Sequence, residues 1–303
     1  MMSVVRFTGG LGNQLFQICF GKMLSDATAT PTVYDAIEYR YRSTKATRQL
    51  EIPDIFGLKI ESKSNAIISH SPEIILKFME RRVIPVYHAN RYKYSNFVRE
   101  GVEIYDSGIE LKSNSYYIGN FISYKYWNNK TQHILSWISN LMNEHLDLNK
   151  NILDSTIGIH VRRGDYLEND KVRNLHGYCT DEYYLDALDK IIQANSSIKR
   201  VLLSSDSPFR TRDLRNEITK RGLYIEVLDT TNPLEALTRI AKTSYFIGSN
   251  STFSWWAAAL NKKEISIFPN DWFIAGSYGF DFNDYFPFPV TGITHALTNE
   301  PLI

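Results

Sequence analysis

Between Ser155 and Phe268 short apolar runs alternate with amphipathic stretches, and that alternation admits few folds. Ile157–Val161, Arg200–Ser204, Tyr224–Leu228, Tyr245–Ile247 and Glu264–Phe268 read as strands, being short, apolar and bounded by polar turns. Helices are expected over Thr180–Gln193, Asp213–Arg221, Pro233–Lys242 and Phe253–Leu260, with Thr180 as an N-cap ahead of Asp181 and Glu182. The segment from Arg162 to Cys179 reads as a polar loop, and Glu264–Phe268 as the last strand. Strands alternating with helices imply a parallel, doubly wound α/β sheet, in which ligands lie outside the carboxyl ends of the strands.

Three of these strands end in polar clusters: Arg162-Arg163-Gly164-Asp165, Ser205-Asp206, and Ser249-Asn250-Ser251-Thr252. Arginine stays charged at any working pH, and its planar fork matches phosphate oxygens in pairs. The serine-rich turn opens a helix, where unpaired N–H groups and the helix dipole favour negative charge. Together they point to a phosphate-bearing ligand. Each cluster also has a plainer reading: an Arg–Asp ion pair in a turn, or simple N-capping by Ser251 or Thr252. Trp255 and Trp256 begin an apolar helix and are expected in the core.

The first half opens with a strand at Ser3–Phe7, the glycine-rich turn Thr8–Gln14 and a helix through Leu15, Ile18 and Met23. That arrangement aims a helix N-terminus at an anion or a polar ligand. Gly10-x-Gly12, with Asp35 after a second strand at Thr32–Tyr34, has the opening of a dinucleotide fingerprint. Leu15, however, stands where close helix–strand packing would need a third glycine. From 36 to 155, Tyr39-Arg40-Tyr41-Arg42, Tyr92-Lys93-Tyr94, Tyr116-Tyr117 and Tyr124-Lys125-Tyr126-Trp127 suit either sugar or base stacking or a half-buried surface. Amphipathic helices are expected at Pro72–Ile84 and Trp137–Leu148. The polar stretch Leu148–Asn151 suits a link between a first domain, 1–154, and a second, 155–303.

Composition excludes several classes. A net charge of +1 on 303 residues is too small for a broad nucleic-acid-binding surface. Two cysteines cannot make a disulfide framework, and neither a signal peptide nor an eighteen-residue apolar window is evident. A cytoplasmic setting is expected. No Asp-x-Asp pair or histidine ligand spacing marks a metal site, so phosphate charge would fall to arginine and helix N-termini.

Gly9-Gly10-Leu11-Gly12-Asn13-Gln14-Leu15-Phe16-Gln17, His160-Val161-Arg162-Arg163-Gly164-Asp165-Tyr166 and Asn250-Ser251-Thr252-Phe253-Ser254-Trp255-Trp256-Ala257, in that order, resemble the three motifs of bacterial α-1,2-fucosyltransferases of glycosyltransferase family 11. The resemblance implies a GT-B architecture, two Rossmann-like domains facing a central cleft. It implies inverting transfer of L-fucose from GDP-β-L-fucose to the 2-hydroxyl of a galactose-containing acceptor (O-antigen, capsule or milk-type oligosaccharide), with no metal or other cofactor. A lipid-linked acceptor would bring the enzyme peripherally to the inner membrane.

Carried over by residue, Arg162 binds the β-phosphate and His160 lies against the nucleotide. Ser251, Thr252 and Phe253 hold phosphate. Arg163, Ser205, Asp206 and Asn250 complete the donor side. Gly10, Gly12 and Asn13 line the cleft near the reacting centre, Asn13 in a catalytic role. The family's nucleoside-binding acid falls here on Ala236, with Glu235 beside it as the substitute. Asp165 is the first candidate for the catalytic base and Asp170 or Glu168 the second, although Asp165 could equally orient Arg162 or Arg163. The alternatives are a fucosyltransferase of another linkage, a non-catalytic nucleotide- or glycan-binding protein, and an NAD-type oxidoreductase built on the first glycine loop.

Overall fold

The computed structural model describes residues 2–36, 39, 50–52, 56–61, 96–101, 104–146, 152–276 and 278–300. The aromatic stretches at 40–42 and 92–94, the helix expected at Pro72–Ile84 and the link at 148–151 lie outside the described residues. The chain divides into two compact units, Met1–Ile134 and Leu135–Ile303, with the division inside the helix Thr131–Leu146.

In the second unit, strands β6 (Leu153–Val161), β8 (Arg200–Ser205), β9 (Tyr224–Val227), β10 (Thr243–Ile247), β11 (Ile265–Pro269) and β12 (Thr291–Ile293) form one sheet. Its spatial order is β12-β11-β10-β6-β8-β9, and neighbouring strands run parallel. Numbered in chain order within this sheet, this is 3-2-1-4-5-6 read from the β9 edge, so the order reverses between β6 and β10. That crevice is the switch point at which doubly wound sheets take ligands. β6 is central because its Ile157, Ile159 and Val161 are fully buried. The helix Asp181–Ala194 packs Tyr184, Leu188 and Ile191 into the same core. Each such buried aliphatic side chain contributes about 1.5–3 kcal/mol.

Two expectations change here. The polar loop after β6 is two short helices, Gly164–Glu168 and Asp170–His176, and a two-residue strand β7 (Tyr178–Cys179). Their polar composition hides them, but Asn169 caps the second by accepting from the N–H groups of Lys171 and Val172. Glu264–Phe268 is not the last strand either: β12 extends the sheet, and β13 (Leu297–Thr298) pairs antiparallel with β7. Both follow an aromatic-rich stretch, 272–288, and are too short to show alternation.

In the first unit, β1 (Ser3–Arg6), β2 (Thr32–Asp35), β3 (Ile60–Glu61), β4 (Asn96–Arg99) and β5 (Ser115–Ile118) form a second parallel sheet, ordered β3-β2-β1-β5-β4. The helix Leu11–Thr28 follows β1. Tyr116 and Tyr117, weighed above as ligand platforms, are β5 core residues. The Tyr116 hydroxyl donates to the buried Asp35 carboxylate, which takes that acid out of any ribose-binding role.

Candidate active site

β6 delivers Arg162 and Arg163 to the switch point, and successive residues of an extended chain face opposite ways. Arg162 keeps a 13% exposed side chain, and its guanidinium is pinned between two carboxylates: Nη1 lies 2.8 Å from Asp206 Oδ2 and Nη2 lies 2.5 Å from Asp165 Oδ1. Burial works against its charge, but Asp206 and then Asp165 outweigh it and hold the pKa above the ordinary arginine range. The Tyr166 ring lies under the guanidinium at 5.4 Å, a cation–π contact that fixes its plane.

Arg163 departs from the donor-binding role expected of it. Its side chain is 1% exposed and is spent on the fold: it donates to the Arg210 carbonyl at 2.8 Å, the Cys179 carbonyl at 3.3 Å and Asp181 Oδ1 at 2.5 Å. A guanidinium so enclosed clamps β6 to the turn after β8 and to the helix at Asp181.

Asp206 works from behind the site. Its Oδ1 accepts from the backbone N–H groups of Arg163 and Gly164 at 2.8 and 3.0 Å, which leaves Oδ2 aimed at Arg162. A Cβ at Gly164 would come within 2.5 Å of that oxygen, so glycine is needed there for close approach. Ser205 is fully buried and accepts from the Ser207 N–H, a turn-forming role in this structure.

Across the crevice, Ser251 caps the helix Thr252–Ala259 by accepting from the Phe253 N–H. His160 lies beneath the turn with Nδ1 2.7 Å from Ser254 Oγ and 3.1 Å from Ser249 Oγ, its ring stacked on Phe253 at 4.5 Å. Burial lowers its pKa to about 4, against a smaller opposing pull from Asp206, so it is neutral at pH 7. Asn250 is fully buried. Its amide donates to the His176 and Trp272 carbonyls at 2.9 and 3.1 Å, so its side chain holds the turn in place and does not reach outward as a donor contact. Glu235 is exposed at the start of the helix Pro233–Ala241.

Arg162, Asp165, Asp206, His160, Ser251, Thr252 and Phe253 thus meet at one crevice. Sequence reasoning missed Ser254 and Tyr166. The recurrence of hydroxyls at 249, 251 and 254 was the available signal for Ser254, whereas nothing local marks Tyr166 as a platform.

The first unit has its own switch point between β1 and β5. Asn13 Nδ2 donates to Asn120 Oδ1 at 3.2 Å, and Thr8 Oγ1 donates to the same oxygen at 3.0 Å. Gly9 takes φ +74°, open to glycine, and Gly10 caps the helix; Gly12 is buried in its first turn. At the helix N-terminus expected to face an anion or a polar ligand, one N–H is already taken: Glu51 accepts from the Leu11 N–H at 2.7 Å.

Glycosyl transferase family 11 matches residues 2–275. The chain is 25% identical to an Escherichia coli alpha-1,2-colitosyltransferase over 89% of this chain and 92% of that protein. It is 24% identical to the Escherichia coli O-antigen biosynthesis glycosyltransferase WbnK over 88% and 93%. Among solved structures, POFUT1 in complex with GDP-fucose matches with a TM-score of 0.43 at 10% identity, over 88% of this chain and 97% of that one. The fucosyltransferase NodZ from Bradyrhizobium matches with 0.42 at 14%, over 86% and 93%. With three motifs in order, two parallel α/β units and a family match over nearly its whole length, the chain belongs to glycosyl transferase family 11.

Proposed function

We propose that this glycosyltransferase moves L-fucose from GDP-β-L-fucose to the 2-hydroxyl of a galactose in a glycan acceptor, with inversion and without a metal ion. The observation that carries the reading is the Arg162 guanidinium held at the β6/β10 switch point between Asp206 and Asp165. When the acceptor hydroxyl oxygen attacks the anomeric carbon, its proton passes to a carboxylate base, for which Asp165, Asp170 and Glu168 are the candidates, while the bond to the β-phosphate breaks and negative charge grows on the departing GDP. A preoriented cation beside that charge lowers the barrier because it needs no reorganisation at the moment of reaction. The N–H groups at the start of the Thr252–Ala259 helix supply further positive potential, and Glu235 is the proposed nucleoside contact. The ion pair with Arg162 supports an orienting role for Asp165 ahead of a role as base. Asn13 is proposed to act in turnover, from the family motif and its place at the first unit's own strand crossover.

The 25% identical alpha-1,2-colitosyltransferase supports a second reading with the same linkage and a different sugar. Colitose is fucose without its 3-hydroxyl, and the groups at Arg162 bear on phosphate, which the two donors share. Incubation with GDP-fucose or GDP-colitose, a panel of galactosides, and added EDTA, followed by linkage analysis by NMR, tests all of this. An α-1,2 fucosylated galactoside formed in EDTA is the expected product. A different linkage, or loss of turnover in EDTA, rejects that part of the reading. Cosedimentation with vesicles carrying a lipid-linked acceptor tests the proposed peripheral membrane association.

A further inference from the structure

Beyond the end of β11 the second unit contains a cavity of about 750 Å³ that the donor chemistry does not use. Small-molecule sites commonly span about 300–1,000 Å³. The half-buried Phe273 and Phe282 and the buried Trp272 are among its lining residues, and Asp271, Asp281, Asn283 and His295 bring polar groups to it; among the described residues no lysine or arginine lines it. The lining discriminates between ligands. Two carboxylates, with no lysine or arginine among the described lining residues to balance them, disfavour a phosphate, a nucleotide or a sugar acid. A neutral pyranose fits both halves: its C–H face packs on aromatic rings, and its hydroxyls donate to carboxylates and amide oxygens.

The cavity wall is also built into the donor site. The Trp272 carbonyl accepts from the Asn250 amide at 3.1 Å, in the turn that opens the Thr252–Ala259 helix. The Phe273 ring lies 5.0 Å from that of His176, which stacks on Tyr166 at 4.9 Å, the ring beneath Arg162. The N–H groups of Ile274 and Ala275 donate to the Leu175 carbonyl, fastening the cavity loop to the segment that follows the arginines. A chain of rings therefore runs from the cation to the cavity within one unit.

We propose that this cavity is a second carbohydrate subsite, holding a neutral pyranose of the acceptor glycan beyond the galactose that is modified. It rests on the function proposed above only in taking the ligand to be the acceptor. Asp271 and Asn283 are exposed, so the double substitution Asp271→Ala with Asn283→Ala removes hydrogen-bonding groups without opening the core.

The test is calorimetric titration of the full chain with lacto-N-tetraose, a neutral galactose-terminated tetrasaccharide, and separately with GDP. The double variant is expected to weaken the tetrasaccharide at least tenfold and leave GDP within twofold. Ile274→Trp, at an exposed rim position, should weaken the tetrasaccharide likewise by filling the mouth, and a melting curve for each variant identifies any that fail to fold. Tetrasaccharide binding unchanged in both variants, or absent in the wild type while GDP binds, overturns the subsite. Loss of GDP binding with the tetrasaccharide still dependent on Asp271 overturns the donor reading and leaves the subsite standing.

Discussion

At the scale of single residues, the two adjacent arginines separate by what surrounds them. Arg162 is oriented at a crevice, and Arg163 is sealed into the fold. Arg162→Ala is expected to reduce turnover by about 10²–10³-fold, the usual cost of removing a charge-stabilising donor, with a much smaller change in thermal midpoint. Arg162→Lys should not restore it, because an ammonium cannot fork between Asp206 and Asp165. Steady-state kinetics with GDP-fucose decides, and activity within a few-fold of wild type would remove Arg162 from the mechanism. Asp165, 41% exposed and paired to Arg162, is expected to behave as an orienter. Asp165→Asn should lower turnover by less than the roughly 10²–10⁴-fold of a lost base and keep the acidic limb of the pH–rate profile. A vanished limb would make it the base. The sequence shows both guanidiniums and the carboxylate, but which guanidinium faces outward depends on partners at 181 and 206 that are remote in the chain.

At the scale of elements, the site is a meeting of strand ends and one helix start. Arg163→Ala should destabilise the protein by about 2–4 kcal/mol, at or below the range for a broken buried pair because Asp181 retains contact with water. A chemical denaturation midpoint shifted by less than the Arg162→Ala variant shifts it would reject the clamp. Ser251→Ala, which deletes an N-cap, should cost about 0.5–2 kcal/mol of stability and also weaken GDP in calorimetry. Retained GDP affinity would mean that the cap serves the helix alone. The helices and strands of 155–268 were legible because their apolar periodicity is strong. The short helices at 164–176 and strand β12 were not, since a few polar residues or a three-residue strand carry too little periodicity and depend on caps and neighbours to settle.

At the scale of the whole molecule, stability should depend on pH through one buried and one half-buried imidazole, those of His160 and His176. His160 and His176 both have pKa values lowered to about 4, in each case chiefly by burial. An unfolded histidine titrates near 6.5. Between those values the unfolded chain takes up protons that the folded chain refuses, so stability is full above about pH 6.5 and falls as pH drops toward 4. Each pKa unit corresponds to about 1.4 kcal/mol per group. Thermal midpoints measured from pH 7.5 to 4.5 should fall, and His176→Gln should flatten the fall; an unchanged slope would discard the assignment. Among the described residues no helix is long and apolar enough to cross a membrane. The sequence by itself determined the α/β class, the regular second half and the three motifs, because periodicity and strand-end chemistry are local properties. Only the tertiary structure decided the 3-2-1-4-5-6 order, the burial of Arg163 and Asn250, the occupation of the first helix N-terminus by Glu51, and the cavity beyond β11. Each of those depends on which distant segment comes to lie beside a residue, and side-chain chemistry alone does not specify that.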